Sequence, residues 1–114
     1  MGMGETTRVV LTTAPSVEVA EALVRTLVEE RLAACGNIVP GLTSIYRWRG
    51  EVEREEEVLV ILKTEASAVA RLVARVAELH PYEVPEALVL PVEAGHGPYL
   101  AWVRENVGSD YEEG

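Results

Sequence analysis

At 114 residues, 48% apolar and 25% charged, the chain has material for one domain with its own core. Ten Lys and Arg against nineteen Asp and Glu leave a formal charge of −9, which argues against nucleic-acid backbones and anionic membrane surfaces as partners. The aliphatic run Val58 to Leu62 is far short of a bilayer span, and one cysteine, Cys35, excludes an internal disulfide. With no basic and apolar leader at Met1–Glu5, the expected location is the cytoplasm.

Nothing resembling a linker, repeat or low-complexity segment divides the sequence, so residues 1–114 read as a single domain. An ordered core is expected over about residues 7–107, after a loose start at 1–5 and before an acidic tail at Gly108–Gly114. Arg8 to Thr12 is a short β-branched run, read as a buried strand. Ser16 is placed to cap a helix, with Glu18 in its electropositive first turn. Ala20, Leu23, Val24, Leu27 and Val28 then give one apolar stripe.

Leu32 to Trp48 is strand-like but interrupted by Pro40-Gly41, which places it on an edge or at a bulge. Arg49-Gly50 suits a tight turn, and Glu51 to Lys63 is the returning strand, charged in its first half and apolar in its second. Thr64 is expected to cap a second helix, with Ala66, Val69, Leu72, Val73, Val76 and Leu79 as its buried stripe and Pro81 as its stop. Ala87 to Val92 reads as a last edge strand, marked by Pro91, and Pro98 opens a short third helix. The order β-α-β-β-α-β-α predicts an α+β, ferredoxin-like βαββαβ fold: a four-stranded antiparallel sheet, helices on one face, and an extra C-terminal helix.

Length arithmetic adds an expectation about assembly. The returning strand reaches roughly 40 Å at about 3.3 Å per residue, whereas a domain of this size has a radius of gyration near ~13 Å. The long hairpin therefore overhangs its own body, and an isolated two-stranded ribbon is marginal in water. The economical shelter is a closed ring of identical chains, so a homo-oligomer with the hairpin in the interface is expected. At the tip Arg47, Arg49 and Arg54 face Glu51, Glu53, Glu55, Glu56 and Glu57; the alternative is a solvated ribbon with local ion pairs.

Catalytic signatures are missing: no G-x-S-x-G, P-loop, H-E-x-x-H, C-x-x-C or EF-hand loop occurs. Gly95-His96-Gly97-Pro98-Tyr99-Leu100 begins like a dinucleotide loop but has Leu100 at the third glycine, which favours a lead-in to a proline-started helix. No nucleophile–base pair suggests itself, so the protein is read as a non-enzyme. Cys35 reads as a small buried hydrophobe before it reads as a ligand. His80 either caps the second helix or ligates a borderline metal such as Cu²⁺, a single ligand that a ring of subunits would multiply. No cofactor is otherwise implied. Tyr46, Trp48, Tyr82, Tyr99 and Trp102 read as core or interface aromatics, or as the walls of a pocket between subunits with Lys63 and Glu86 as its polar contacts. Lys63 stands alone among nine Arg and is either an anion contact or an ordinary salt bridge.

Several segments, taken together, are familiar. Arg31-Leu32-Ala33-Ala34-Cys35-Gly36-Asn37-Ile38-Val39-Pro40-Gly41, Ser44 to Gly50, Leu62-Lys63-Thr64, His80-Pro81-Tyr82-Glu83-Val84-Pro85-Glu86 and Tyr99 to Trp102 closely resemble the CutA family of divalent-cation tolerance proteins. The resemblance runs from about Arg8 to Asn106. It implies a ferredoxin-like fold, a tight homotrimer similar in architecture to PII signalling proteins, a cytoplasmic location in bacteria, and a role in copper and divalent-metal tolerance. Thr12 and Leu79 stand where some copper-binding members carry Cys and His, so His80 is the candidate ligand that remains. The alternative function is a PII-like small-molecule sensor or adaptor with its ligand in the intersubunit cleft.

Overall fold

The computed structural model describes residues 1–108. Chain order is β1 (Gly2–Met3), β2 (Thr7–Ala14), α1 (Val17–Glu29), β3 (Cys35–Trp48), β4 (Glu51–Glu65), a 3₁₀ turn (Ala66–Ala68), α2 (Val69–Leu79), β5 (Leu88–Pro91), β6 (Ala94–Gly95) and α3 (Gly97–Glu105). The main sheet runs β3-β4-β2-β5, antiparallel throughout. This is the ferredoxin-like order, and the two proline-bearing strands are its edges.

Alternation along β2 and β4 sorts the sheet into two faces. Val10, Ala14, Val58, Val60 and Leu62 meet Leu23 and Leu27 of α1 and Leu72 and Val76 of α2 in one apolar core. Ser16 caps α1, accepting a hydrogen bond from the Val19 amide at 3.2 Å. The opposite face carries Leu11, Leu59, Ile61, Val39, Leu88 and Leu90, matched by register. Neither α1 nor α2 covers it, and Leu88 is 56% exposed.

The hairpin behaves as the length arithmetic requires. β2 pairs with β4 only as far as Val58, so residues 51–57 have β3 as their one neighbour. The molecule is 49 Å long against 22 Å at its narrowest, with a Cα radius of gyration of 15.0 Å. Ile45 and Val52 on the overhang are 69% and 64% exposed. Pro40-Gly41 forms a bulge: two residues lie between Val39 and Leu42, while only Val58 lies between their partners Leu59 and Glu57. The extra residue changes the parity of β3, so Ser44, Tyr46 and Trp48 share a face with Glu55, Glu53 and Glu51.

Three expectations are corrected. Thr64 does not cap the second helix: it belongs to β4, and its hydroxyl donates to the Leu32 carbonyl at 2.7 Å. α2 starts after the 3₁₀ turn, with Ala68 at the cap position and no side-chain bond. Ala66 and Leu79 are exposed rather than part of its buried stripe. Residues 1–5 are not simply loose either, because Gly2–Met3 pairs with Ala94–Gly95 beside α3. The acidic tail beyond Gly108 lies outside the described residues.

Candidate functional site

A cleft of about 810 Å³ lies between the hairpin and the loop of residues 80–86. β2 ends at Ala14, so β4 continues without a sheet neighbour on that side, and the loop fills the vacancy beside it. Pro81 has ended α2, and the chain turns back across the end of the sheet. The hairpin wall supplies Tyr46, Trp48, Glu53, Glu55 and Glu57; the loop wall supplies Tyr82, Glu83 and Glu86.

His80 holds the loop in place. It is 7% exposed. Its Nε2 lies 2.6 Å from the Thr13 carbonyl, and its Nδ1 accepts the Tyr82 amide at 3.1 Å. A carbonyl accepts only, so Nε2 carries the proton and the ring is the neutral tautomer in this arrangement. The ring therefore fastens the end of β2 to the loop instead of capping the carbonyls of α2. Both nitrogens face protein groups, so His80 is not poised as a metal ligand. Among the described residues no three His, Cys, Asp or Glu side chains converge on a common point. The described residues of one chain therefore do not form a preformed copper cradle.

One ring further on, Tyr82 packs against His80 with centroids 4.6 Å apart. Its phenol donates to Glu57 Oε2 at 2.6 Å. Glu57 is 8% exposed, and among the described residues no cation pairs with it. Burial, then the Glu57 hydrogen bond and charge, push the Tyr82 phenol well above its ordinary range. Tyr46 is shifted up in the same direction, by desolvation and then by Glu55. At the hairpin tip Arg49 reaches Glu83 at 3.0 Å and lies over the Trp48 ring at 5.4 Å.

The structure divides the residues singled out in the sequence. Trp48, Tyr82 and Glu86 line the cleft, with His80 behind Tyr82. Lys63, Tyr99 and Trp102 lie elsewhere: Lys63 pairs with Cys35 in register and donates to Asn37 Oδ1. The Cys35 thiol and the Tyr99 phenol are 3.6 Å apart, and Tyr99 stacks on Trp102 at 5.7 Å. Desolvation and the Cys35 thiol push Tyr99 up to about 12. Sequence reasoning passed over Glu57 as a site residue. The signal was available in the alternation of Glu51, Glu53, Glu55 and Glu57, which places four carboxylates on one face of a strand.

A family model described as "CutA1 divalent ion tolerance protein" matches residues 8–106. The chain belongs to the CutA family. The divalent-cation tolerance protein CutA of Thermus thermophilus is 58% identical over 100 residues, spanning 88% of this chain and 97% of that protein. Human protein CutA is 50% identical over 93 residues, covering 82% of this chain and 52% of the human one. The solved structure of Cut A1 from Thermus thermophilus superposes with a TM-score of 0.87 at 57% identity, covering 90% of this chain and 99% of that one. A solved structure described as the periplasmic CutA of Archaeoglobus fulgidus gives 0.86 at 35% identity, over 90% and 99%. The CutA residues conspicuous in this chain's sequence, from His80 to Glu86 and from Ser44 to Gly50, build the two walls of the cleft.

Proposed function

We propose that this protein serves divalent-cation tolerance, copper included, as a non-catalytic homotrimer in the cytoplasm. Membership of the CutA family supports the metal-response role. The observation that supports assembly is the uncovered sheet face. Leu11, Val39, Leu59, Ile61, Leu88 and Leu90 form an apolar surface on the side away from α1 and α2, continuous with an overhanging hairpin. Copies closing around an axis bury both at once. A non-catalytic role is supported by Cys35, whose neighbour is a phenol, and by His80, whose nitrogens are bonded to backbone. Among the described residues no helix is long and apolar enough to cross a membrane.

Among the described residues of one chain no three candidate ligands converge, which accords with direct metal contact through side chains brought together between copies. Sedimentation velocity at micromolar concentration tests the assembly, and a well-folded single chain refutes it. Titration with Cu²⁺ beside a His80→Ala variant tests the ligand. Identical isotherms take His80 out of the account; a lost site restores it.

A second reading is a PII-like sensor or adaptor that binds a small molecule. It is favoured by the aromatic cleft of Trp48, Tyr82 and Glu86. In a trimer this reading requires Lys63, Tyr99 and Trp102 of one copy to approach the cleft of the next. A thermal-shift screen of nucleotides and small anions, repeated with Lys63→Met, decides it: stabilisation lost in the variant supports the sensor.

A further inference from the structure

We propose that the copies close head to tail, Lys63 of one seated against Glu55 and Glu57 of the next, so that the cleft between the hairpin and the 80–86 loop is complete only when a second copy supplies its ammonium group. The inference rests on the trimer proposed above and adds which ends of the chains meet.

The odd-numbered residues of β4 from Glu53 to Lys63 share one face, the one that α1 and α2 leave open. Its two ends carry opposite charge. Glu53, Glu55 and Glu57 stand at the hairpin end and Lys63 at the other, with Leu59 and Ile61 between them. Among the described strand residues matched in register to that face, Lys63 is the sole Lys or Arg.

Neither end is neutralised within its own chain. Lys63 donates to the uncharged amide oxygen of Asn37, and among the described residues no carboxylate pairs with it. Glu65, next on the same face, is engaged by the hydroxyls of Thr6 and Thr7. At the other end Glu57 is buried against the neutral phenol of Tyr82, and among the described residues no cation pairs with Glu55 or Glu57. One extended strand holds Lys63 and Glu57 about 20 Å apart, so they cannot meet inside a copy. Whatever covers the apolar belt between them also takes these charges out of water, which is costly unless the opposite charge arrives with the cover.

That requirement selects the orientation. A copy laid with like ends together sets carboxylates against carboxylates and lysine against lysine, which like-charge repulsion disfavours. Opposite ends together satisfy both, and repeating the same step around an axis closes a ring. The aromatic rings fit the same contact. Tyr99 reaches Cys35, the register partner of Lys63, so the Tyr99–Trp102 stack stands beside the basic end. Tyr46 and Trp48 line the acidic one. All four are between 39% and 42% exposed in the single chain, and aromatic residues are enriched where proteins meet.

The test is guanidinium-induced dissociation of the full chain, followed by sedimentation and Trp fluorescence. Lys63→Glu and Glu55→Lys are each expected to weaken assembly at least about tenfold, and the chain carrying both is expected to recover most of the loss. Glu21→Lys and Arg71→Glu, equal charge changes at exposed positions of α1 and α2, should leave assembly unchanged. Where circular dichroism shows a reversal to impair folding, Lys63→Met with Glu57→Gln decides, since Gln keeps an acceptor for Tyr82. Once Lys63 is lost, Glu57→Gln is expected to add less than about a twofold effect; independent losses overturn the pairing. It is also overturned if both reversals dissociate like the parent, if the double variant is no tighter than either single one, or if the helix controls cost as much. A parent that sediments as a single chain refutes the trimer itself, whereas an assembled parent without coupling between these positions refutes the head-to-tail contact alone.

Discussion

Tyr82 donates its phenolic proton to Glu57 across 2.6 Å, joining the loop after α2 to the buried flank of the overhanging hairpin. It is a neutral donor to a charged acceptor, and among the described residues Glu57 is one of the few buried carboxylates. Tyr82→Phe removes the donor and keeps the ring on His80. A loss of about 1–3 kcal/mol in urea unfolding is expected, the range for stripping a partner from a buried charged group.

The same pair predicts an alkaline signature. The Tyr82 phenol is raised in the folded protein, so its contribution is complete below the unfolded tyrosine value of about 10. Above that pH the unfolded chain releases its proton first, and stability falls as pH rises toward the folded value. Tyr46 and Tyr99 act in the same direction. Unfolding free energies at pH 8 and pH 11 should therefore show a drop that is smaller in Tyr82→Phe than in the parent protein. Equal drops would mean that Tyr82 titrates alike folded and unfolded.

Gly36 sits where β3 crosses α1. A Cβ there would lie 2.7 Å from Val24 Cγ1 and 2.9 Å from Leu62 Cδ2, both inside the core. Neither neighbour is the end of a long flexible chain. Gly36→Ala is expected to cost about 1–3 kcal/mol through overpacking, measured by thermal or denaturant unfolding. A neutral result would show that α1 shifts freely on the sheet.

What the sequence disclosed follows from which features are periodic. The core stripe of α1, the apolar half of β4 and the edge prolines are local patterns, and they suffice for the ferredoxin-like order. Thr64 was misleading because a Thr before Ala-rich helical sequence is equally suited to end a strand; the Leu32 carbonyl decides the matter by taking its hydroxyl. β1 was invisible because two residues have no period, and their partners are ninety residues away. The cleft was half legible. Tyr82, Trp48 and Glu86 were singled out, but their separation from Lys63, Tyr99 and Trp102 depends on the bulge at Pro40-Gly41 and on the turn after α2, which no local pattern reports.

Arg31 ties the end of α1 to the end of α3. Its guanidinium donates to the Glu105 carbonyl at 2.7 Å and to the Gly108 carbonyl, where a positive group is favoured at a helix C-terminus. Its φ of 60°, a left-handed conformation unusual for a side chain of its size, belongs to the turn that ends α1, in which the Arg31 amide donates to the Val28 carbonyl and the Leu32 amide to the Leu27 carbonyl. Arg31→Ala loses these side-chain contacts and keeps the strain; Arg31→Gly loses them and relieves it. Both are destabilised, and Gly is expected to be the milder by about 1 kcal/mol. Hydrogen exchange at the last turn of α3 should quicken in each. Protection unchanged from the parent would mean that α3 is held by Leu100 and Val103 alone.

Leu88 tests the open face of the sheet. It lies opposite Leu11 in register, 56% exposed in the single chain, on the side away from α1 and α2. A glutamate there leaves the core untouched, since Leu88 points away from it. In the proposed trimer the same change buries a charge between copies, costing about 2–5 kcal/mol per contact. Leu88→Glu should therefore dissociate the assembly in sedimentation experiments while each chain retains its helical and strand content. Leu79→Glu, at an exposed apolar residue on α2, should sediment like the parent. If Leu88→Glu also sediments like the parent, the copies meet through some other surface, and the apolar face needs a different cover.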